Sequence, residues 1–177
     1  MIQITKDAYL HFADNQEKLD TFIREKKGIS LEEWDENIYY DHAHRIALQT
    51  EVSEFVNECR DTWKYWKEKP IDYGKLKDEL VDVIHFAHLI LNKKSRTRLS
   101  STHKISHRVI NRRIAELHDQ HSSIELLDYI SVEPVVTEVY ALLLTIAHQT
   151  YGMTLEEIVE AYDIKNEENY KRQKTGW

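Results

Sequence analysis

LKDELVDVIHFAHLIL, running from Leu76 to Leu91, is apolar on nearly every face once wound as a helix. A helix of that kind belongs in a core rather than on a surface. Glu79 and Asp82 interrupt it, one turn apart and therefore on the same side. An ionised carboxylate costs several kcal/mol to bury unless a positive group meets it. Two on one face of a core helix demand a cation.

Composition extends the helical reading to the whole chain. The 177 residues include only four glycines and two prolines, too few turn signals for the short strands of a sandwich or barrel. The length suits one all-α domain over residues 1–177 with a substantial core. A formal charge of −7 argues against nucleic acid as a general partner. The one cysteine, Cys59, excludes an internal disulfide and fits a reducing cytosol. No apolar run reaches spanning length, and MIQITKDAYLHF lacks the basic-then-apolar order of a signal peptide. The expectation is a cytoplasmic protein with no membrane contact.

On the N-terminal side of the acidic core helix, a first helix is expected from about Lys6 to Lys27, stopped by Gly28. Its apolar stripe is Tyr9, Phe12, Leu19 and Ile23, and Gln16 falls inside it. Gln16 is either a boundary residue or an amide that reads a ligand edge. Ser30 and Glu33 have capping-box spacing ahead of a short helix through Trp34. A second long helix is expected from about Asp41 to Lys67, with Ala47, Leu48, Val52, Phe55 and Cys59 inward. A neighbouring face carries Glu51, Glu54 and Glu58, whose like charges repel at this spacing. The helix closes on WKYWK, Trp63 to Lys67, before Pro70 and Gly74. Most of these rings are expected on the core, while the lysines either snorkel to water or reach phosphate.

On the C-terminal side the composition changes sharply. Lys93 to Arg113 holds eight Lys or Arg residues and no Asp or Glu, opening a basic segment at about 93–121. KKSRTRLSSTHK reads as a loop, followed by an amphipathic helix with Ile105, Val109, Ile110, Ile114 and Leu117 inward. Such a run is usually solvated; it can also meet nucleic acid or close over an anionic ligand. An apolar helix is expected over about Pro134 to Tyr151, closed by Gly152. Thr154 and Glu157 then cap a last helix, whose stripe passes from Leu155, Ile158 and Tyr162 to Lys165, Asn169 and Arg172. The switch from apolar to basic and amide residues suits a ligand surface. The histidine pairs His85/His88, His103/His107 and His118/His121 lack a third ligand at a zinc spacing.

The chemical signal is a pair of pairs: Glu51-x-x-Glu54, a gap of 24 residues, then Glu79-x-x-Asp82. Two helices joined through Pro70–Gly74 would face these acids toward one another. Four carboxylates without a thiolate select a hard cation, Mg²⁺ or alternatively Mn²⁺. Such a site suits hydrolysis of a phosphoanhydride.

EVSEF followed by DELVDVIHF resembles the ExxE…ExxD signature of the all-α nucleoside triphosphate pyrophosphatases, the MazG-like superfamily. Within it the chain is most similar to the dimeric all-α dUTPase family. Three further segments carry that match: QEKLD (Gln16–Asp20), WKYWK, and KNEENYKRQKTGW at the end of the chain. The resemblance implies a helical bundle that hydrolyses dUTP to dUMP and pyrophosphate, a metal-bound water attacking the α-phosphate. It implies Glu51, Glu54, Glu79 and Asp82 as magnesium ligands, with Glu51 or Glu54 taking the water's proton. It further implies Lys165 and Arg172 on phosphates, assisted by Lys64 or Lys67, and Gln16 and Asn169 on uracil. Phe86, beside His85, would stack on the deoxyribose and exclude a 2′-hydroxyl. A homodimer is the implied assembly. WKYWK is displaced by about one residue from the family pattern, and Lys93–Arg113 matches no family motif. The alternatives are a MazG-like or dCTP-directed pyrophosphatase and, from another class, a helical module that binds nucleic acid or protein.

Overall fold

The computed structural model describes residues 1–175, and among them the chain forms nine helices and no strand. They are α1 (Lys6–Lys27), α2 (Leu31–Glu36), α3 (Ile38–Glu58), α4 (Arg60–Trp63), α5 (Tyr73–Thr97), α6 (Thr102–Leu117), α7 (Ser123–Val132), α8 (Val136–Gln149) and α9 (Leu155–Thr175). Local chemistry sets most boundaries. The Thr5 hydroxyl accepts from the Ala8 N–H at the head of α1, and Gly28, at φ 69°, closes its tail. That left-handed conformation is open to glycine at little cost. Thr154 and Glu157 cap α9 reciprocally, side chain to backbone in both directions. At α2 only half the expected box forms, with Ser30 accepting from the Glu33 N–H.

The acidic core helix is α5, and the rest of the bundle is built on it. It packs against α1, α3, α6, α8 and α9. Leu76, Leu80, Val81, Val83, Ile84, Ala87 and Leu91 are all buried along it. On the far side of the core, α8 is apolar for almost its whole length, from Val136 to Ala147. Cys59 is a free, fully buried thiol in the same core, and burial pushes its pKa up to about 12.

Five points differ from expectation. The helix expected to run to Lys67 ends at Glu58, because Cys59 leaves helical geometry at ψ 30°. The Trp63 indole N–H turns back and donates to the Val56 carbonyl at 2.8 Å, satisfying an acceptor that the break exposes. The WKYWK rings do not mostly join the core: Trp63 is half-buried, while Tyr65 is 95% and Trp66 57% exposed. The supposed loop after Lys93 is mainly helix, since α5 runs to Thr97 and α6 starts at Thr102. Lys93 is buried between the Trp34 carbonyl and the Asp41 carboxylate, each at 2.7 Å, and Arg96 forks onto Asp35 and reaches Glu17. Ile105 is exposed, and Ser106 holds the inward position instead. Finally, α7 was not expected, although Ser122 and Glu125 make a full capping box at its start.

Candidate active site

Three carboxylates from two helices converge. One oxygen each from Glu51 on α3 and from Glu79 and Asp82 on α5 lie within 4.8 Å of one another. The cause is helical spacing: residues three apart on α5 present both acids to one side, and α3 packs against that side. Partial burial raises all three pKa values, and neighbouring carboxylates add to it. Glu51 is pushed up to about 7, first by burial and then by Asp82, Glu54 and Glu79. Glu79 is raised by burial, Asp82 and Glu54. Burial raises Asp82 too, outweighing Lys165. Glu54 is exposed and outside the three-oxygen cluster, near enough to act on both glutamates. Glu58 is drawn off by an ion pair with Arg60.

The cation demanded by the core acids is partly supplied by the chain itself. Lys165, buried on α9, pairs with Asp82 at 2.7 Å. Burial disfavours its charge, but the Asp82 carboxylate more than restores it, and its pKa is raised. Arg172, two turns further along the same face, lies 4.0 Å from Glu168 and acts electrostatically on both Asp82 and Lys165. Thus the basic half of the α9 stripe meets the acidic face of α5.

Beside this pair lies a chain of buried polar groups. Gln16 is 3% exposed. Its Nε2 donates to Asp20 Oδ1 at 2.7 Å, and its Oε1 accepts from His85 Nδ1 at 2.6 Å. The His85 ring stacks on Tyr162, with centroids 4.3 Å apart. Burial holds His85 neutral, with its pKa pulled down to about 3. Burial likewise pushes Asp20 up to about 8. His85 Nε2, Asp20 Oδ2 and Asn166 Oδ1 are buried without a hydrogen-bond partner.

The other expected residues are more dispersed. Phe86 is half-buried against the core, one turn past Asp82. Asn169 is half-buried on α9. Lys64 bonds the Asn57 side chain and lies over the Trp63 ring at 4.8 Å, whereas Lys67 is exposed. The terminal Gly176 and Trp177 of the last motif lie outside the described residues. Sequence reading passed over Asp20 as a polar partner, although it stands one helical turn after Gln16.

A cluster of hard oxygen donors beside basic and amide side chains is the equipment of a nucleotide hydrolase. The family described as dUTPase matches residues 9–177, and the chain belongs to that helical dUTPase family. It is a dUTP diphosphatase. No curated protein matches the chain.

Proposed function

We propose that dUTP hydrolysis here is Mg²⁺-dependent, gives dUMP and pyrophosphate, and occurs at the Glu51–Glu79–Asp82 face. The convergence of these three carboxylate oxygens within 4.8 Å carries the reading. Their pKa values are raised first by burial and, for Glu51 and Glu79, also by neighbouring carboxylates, and an all-oxygen set suits Mg²⁺, or Mn²⁺ in its place. A divalent ion held there supplies charge neutralisation and polarisation of phosphate oxygens.

The chain's own groups do the remaining work. Glu51 lies in the cluster and Glu54 at its exposed margin, so either carboxylate can take the proton of water attacking the α-phosphate. Lys165 and Arg172 extend positive charge from Asp82 along α9, where a triphosphate needs it. Gln16 and Asn169 read the uracil edge. Gln16 keeps one N–H and one oxygen lone pair beyond its bonds to Asp20 and His85. Phe86 packs on the sugar beside His85, with Lys64 or Lys67 near the outer phosphates.

A homodimer in the cytoplasm is the proposed setting. Exposed apolar side chains on α3 and α7, Ile46 at 67% and Ile124 at 50%, support the first. For the second, the lone buried thiol suits a reducing compartment, and no helix among the described residues is long and apolar enough to cross a membrane.

The test is pyrophosphate release from dUTP, dCTP, dTTP and UTP, with and without Mg²⁺. Glu79→Gln is expected to lower dUTP turnover by at least about a hundredfold with an unchanged helical circular dichroism spectrum. Equal turnover of dCTP would overturn the uracil assignment, and full activity of the variant would overturn the metal assignment.

A further inference from the structure

A second cleft lies between α3, the C-terminal end of α5 and the α7–α8 connection. Its cavity volume is about 420 Å³, within the range of small-molecule sites. Lys94 is 12 residues beyond Asp82 on α5, roughly 18 Å along the helix axis, so the basic end of this cleft lies away from the carboxylate face, while Gln49 on its wall stands two residues before Glu51 on α3.

Charge in the cleft is unbalanced. Asp35 and Asp41 line it, as do Arg45, Lys93, Lys94 and Arg98, leaving a formal excess of two positive charges. The acids are already engaged, Asp35 by Arg96 and Asp41 by Lys93. Arg45 bonds the Asp41 carbonyl and His42 and acts electrostatically on the Asp41 carboxylate, which Lys93 already holds. Lys94 is half-buried; burial disfavours its charge and Arg98 and Arg45 repel it, against a smaller attraction from Asp41. Among the described residues neither Lys94 nor Arg98 has an acidic side chain within ion-pair distance. His44, 7% exposed, also lines the wall, and its Nδ1 has no hydrogen-bond partner. The remaining wall is apolar, formed by Leu48, Ile90 and Val135 with their neighbours.

A net positive charge of two over an apolar floor calls for an anion with an apolar body. A phosphomonoester carries close to two negative charges at neutral pH, and guanidinium forks match its oxygens. We propose that this cleft binds a small organic phosphate, its dianion held by Arg45, Lys94 and Arg98 and its apolar part set on Leu48, Ile90 and Val135. This site gives a role to Lys94 and Arg98 of the basic segment, which no family motif explains. The net charge of −7 sets the whole molecule against a long polyanion, and the volume of the cleft suits a small ligand.

The experiment is calorimetric titration of the full chain with benzyl phosphate, without divalent cations, alongside inorganic phosphate and benzyl alcohol. Saturable binding of benzyl phosphate is expected, about tenfold or more tighter than either fragment. Lys94→Glu with Arg98→Glu is expected to weaken it by about tenfold or more, leaving dUTP turnover and melting temperature unchanged. Val135→Asp is a second, independent variant with the same expected loss. Glu79→Gln is expected to bind benzyl phosphate like the parent, which separates this site from the proposed active site. Absent saturation, equal affinity for inorganic phosphate, or undiminished binding by the cleft variants would each overturn the proposal.

Discussion

Gln16 has little freedom to turn. Asp20 takes its amide nitrogen and His85 feeds its carbonyl oxygen, so the two ends of the amide are told apart by their neighbours. An amide that discriminates uracil from cytosine must be held in this way, because a flipped amide presents the reverse pattern. Asp20 is therefore a positioning residue for the proposed base site. Asp20→Leu is expected to reduce the preference for dUTP over dCTP by about tenfold or more, as a change in the ratio of kcat/KM values. Asp20→Asn, which keeps an acceptor for the Gln16 amide, is expected to retain most of it. A merely structural Asp20 would lower stability in both variants and leave the substrate ratio alone. Gln16 itself was legible in the sequence, being the one polar residue in an apolar stripe. The burial of Asp20 was not, because a carboxylate one turn from a glutamine reads as solvent-facing until α9 is known to cover that side.

At the scale of elements, periodicity located α1, α8 and α9 well, α1 and α9 with the help of their own caps, whereas α5 was legible in its apolar middle and not in its basic end, which runs on to Thr97. The end of α3 was not legible. Neither glycine nor proline stands between Glu58 and Pro70, and the break rests on Trp63 reaching back to the Val56 carbonyl. That contact is tertiary in character although close in sequence. The helix α7 could have been found from its Ser122–Glu125 box, which the basic composition just upstream obscured. Ser122→Ala is expected to destabilise the fold by about 1 kcal/mol, lowering Tm by about 2–4 °C with unchanged dUTP turnover. Trp63→Ala is expected to destabilise by about 3 kcal/mol and to impair turnover, since it frees the end of the helix that carries Glu51. Comparing the two by thermal melting and pyrophosphate release separates loss of stability from loss of site geometry.

Over the whole molecule, burial sets two opposing dependences on pH. His44 is pulled down to about 4 and His85 to about 3, and His88 is also lowered. The unfolded chain binds protons on these rings from about pH 6.5 downward, so their stabilisation is present above that pH and is lost as pH falls toward 4. Asp20 and Glu51 act in the other sense, with pKa values pushed up to about 8 and about 7. Their contribution is full below about pH 4, where the unfolded carboxyls are protonated too, and is lost as pH rises through 7 to 8. In EDTA the melting temperature is therefore expected to peak near pH 6 and to fall on both sides. Mg²⁺ is expected to raise it more at pH 8 than at pH 6, because the ion competes with protons for the carboxylates. A melting temperature that climbs steadily from pH 6 to 8 in EDTA would contradict this account.

Cys59 gives the molecule an internal reporter. It sits fully buried at the joint between α3 and α4, with its thiol pushed far toward the protonated form. A thiol-specific dye can label it only during moments when that joint opens, and no second sulfhydryl competes for the reagent. Labelling speed thus measures how often the end of the Glu51 helix lets go. Mg²⁺ with a non-hydrolysable dUTP analogue is expected to slow labelling by about tenfold or more, while Trp63→Ala is expected to accelerate it. A lone sulfur deep in the bundle becomes a clock for the motion of its acidic face.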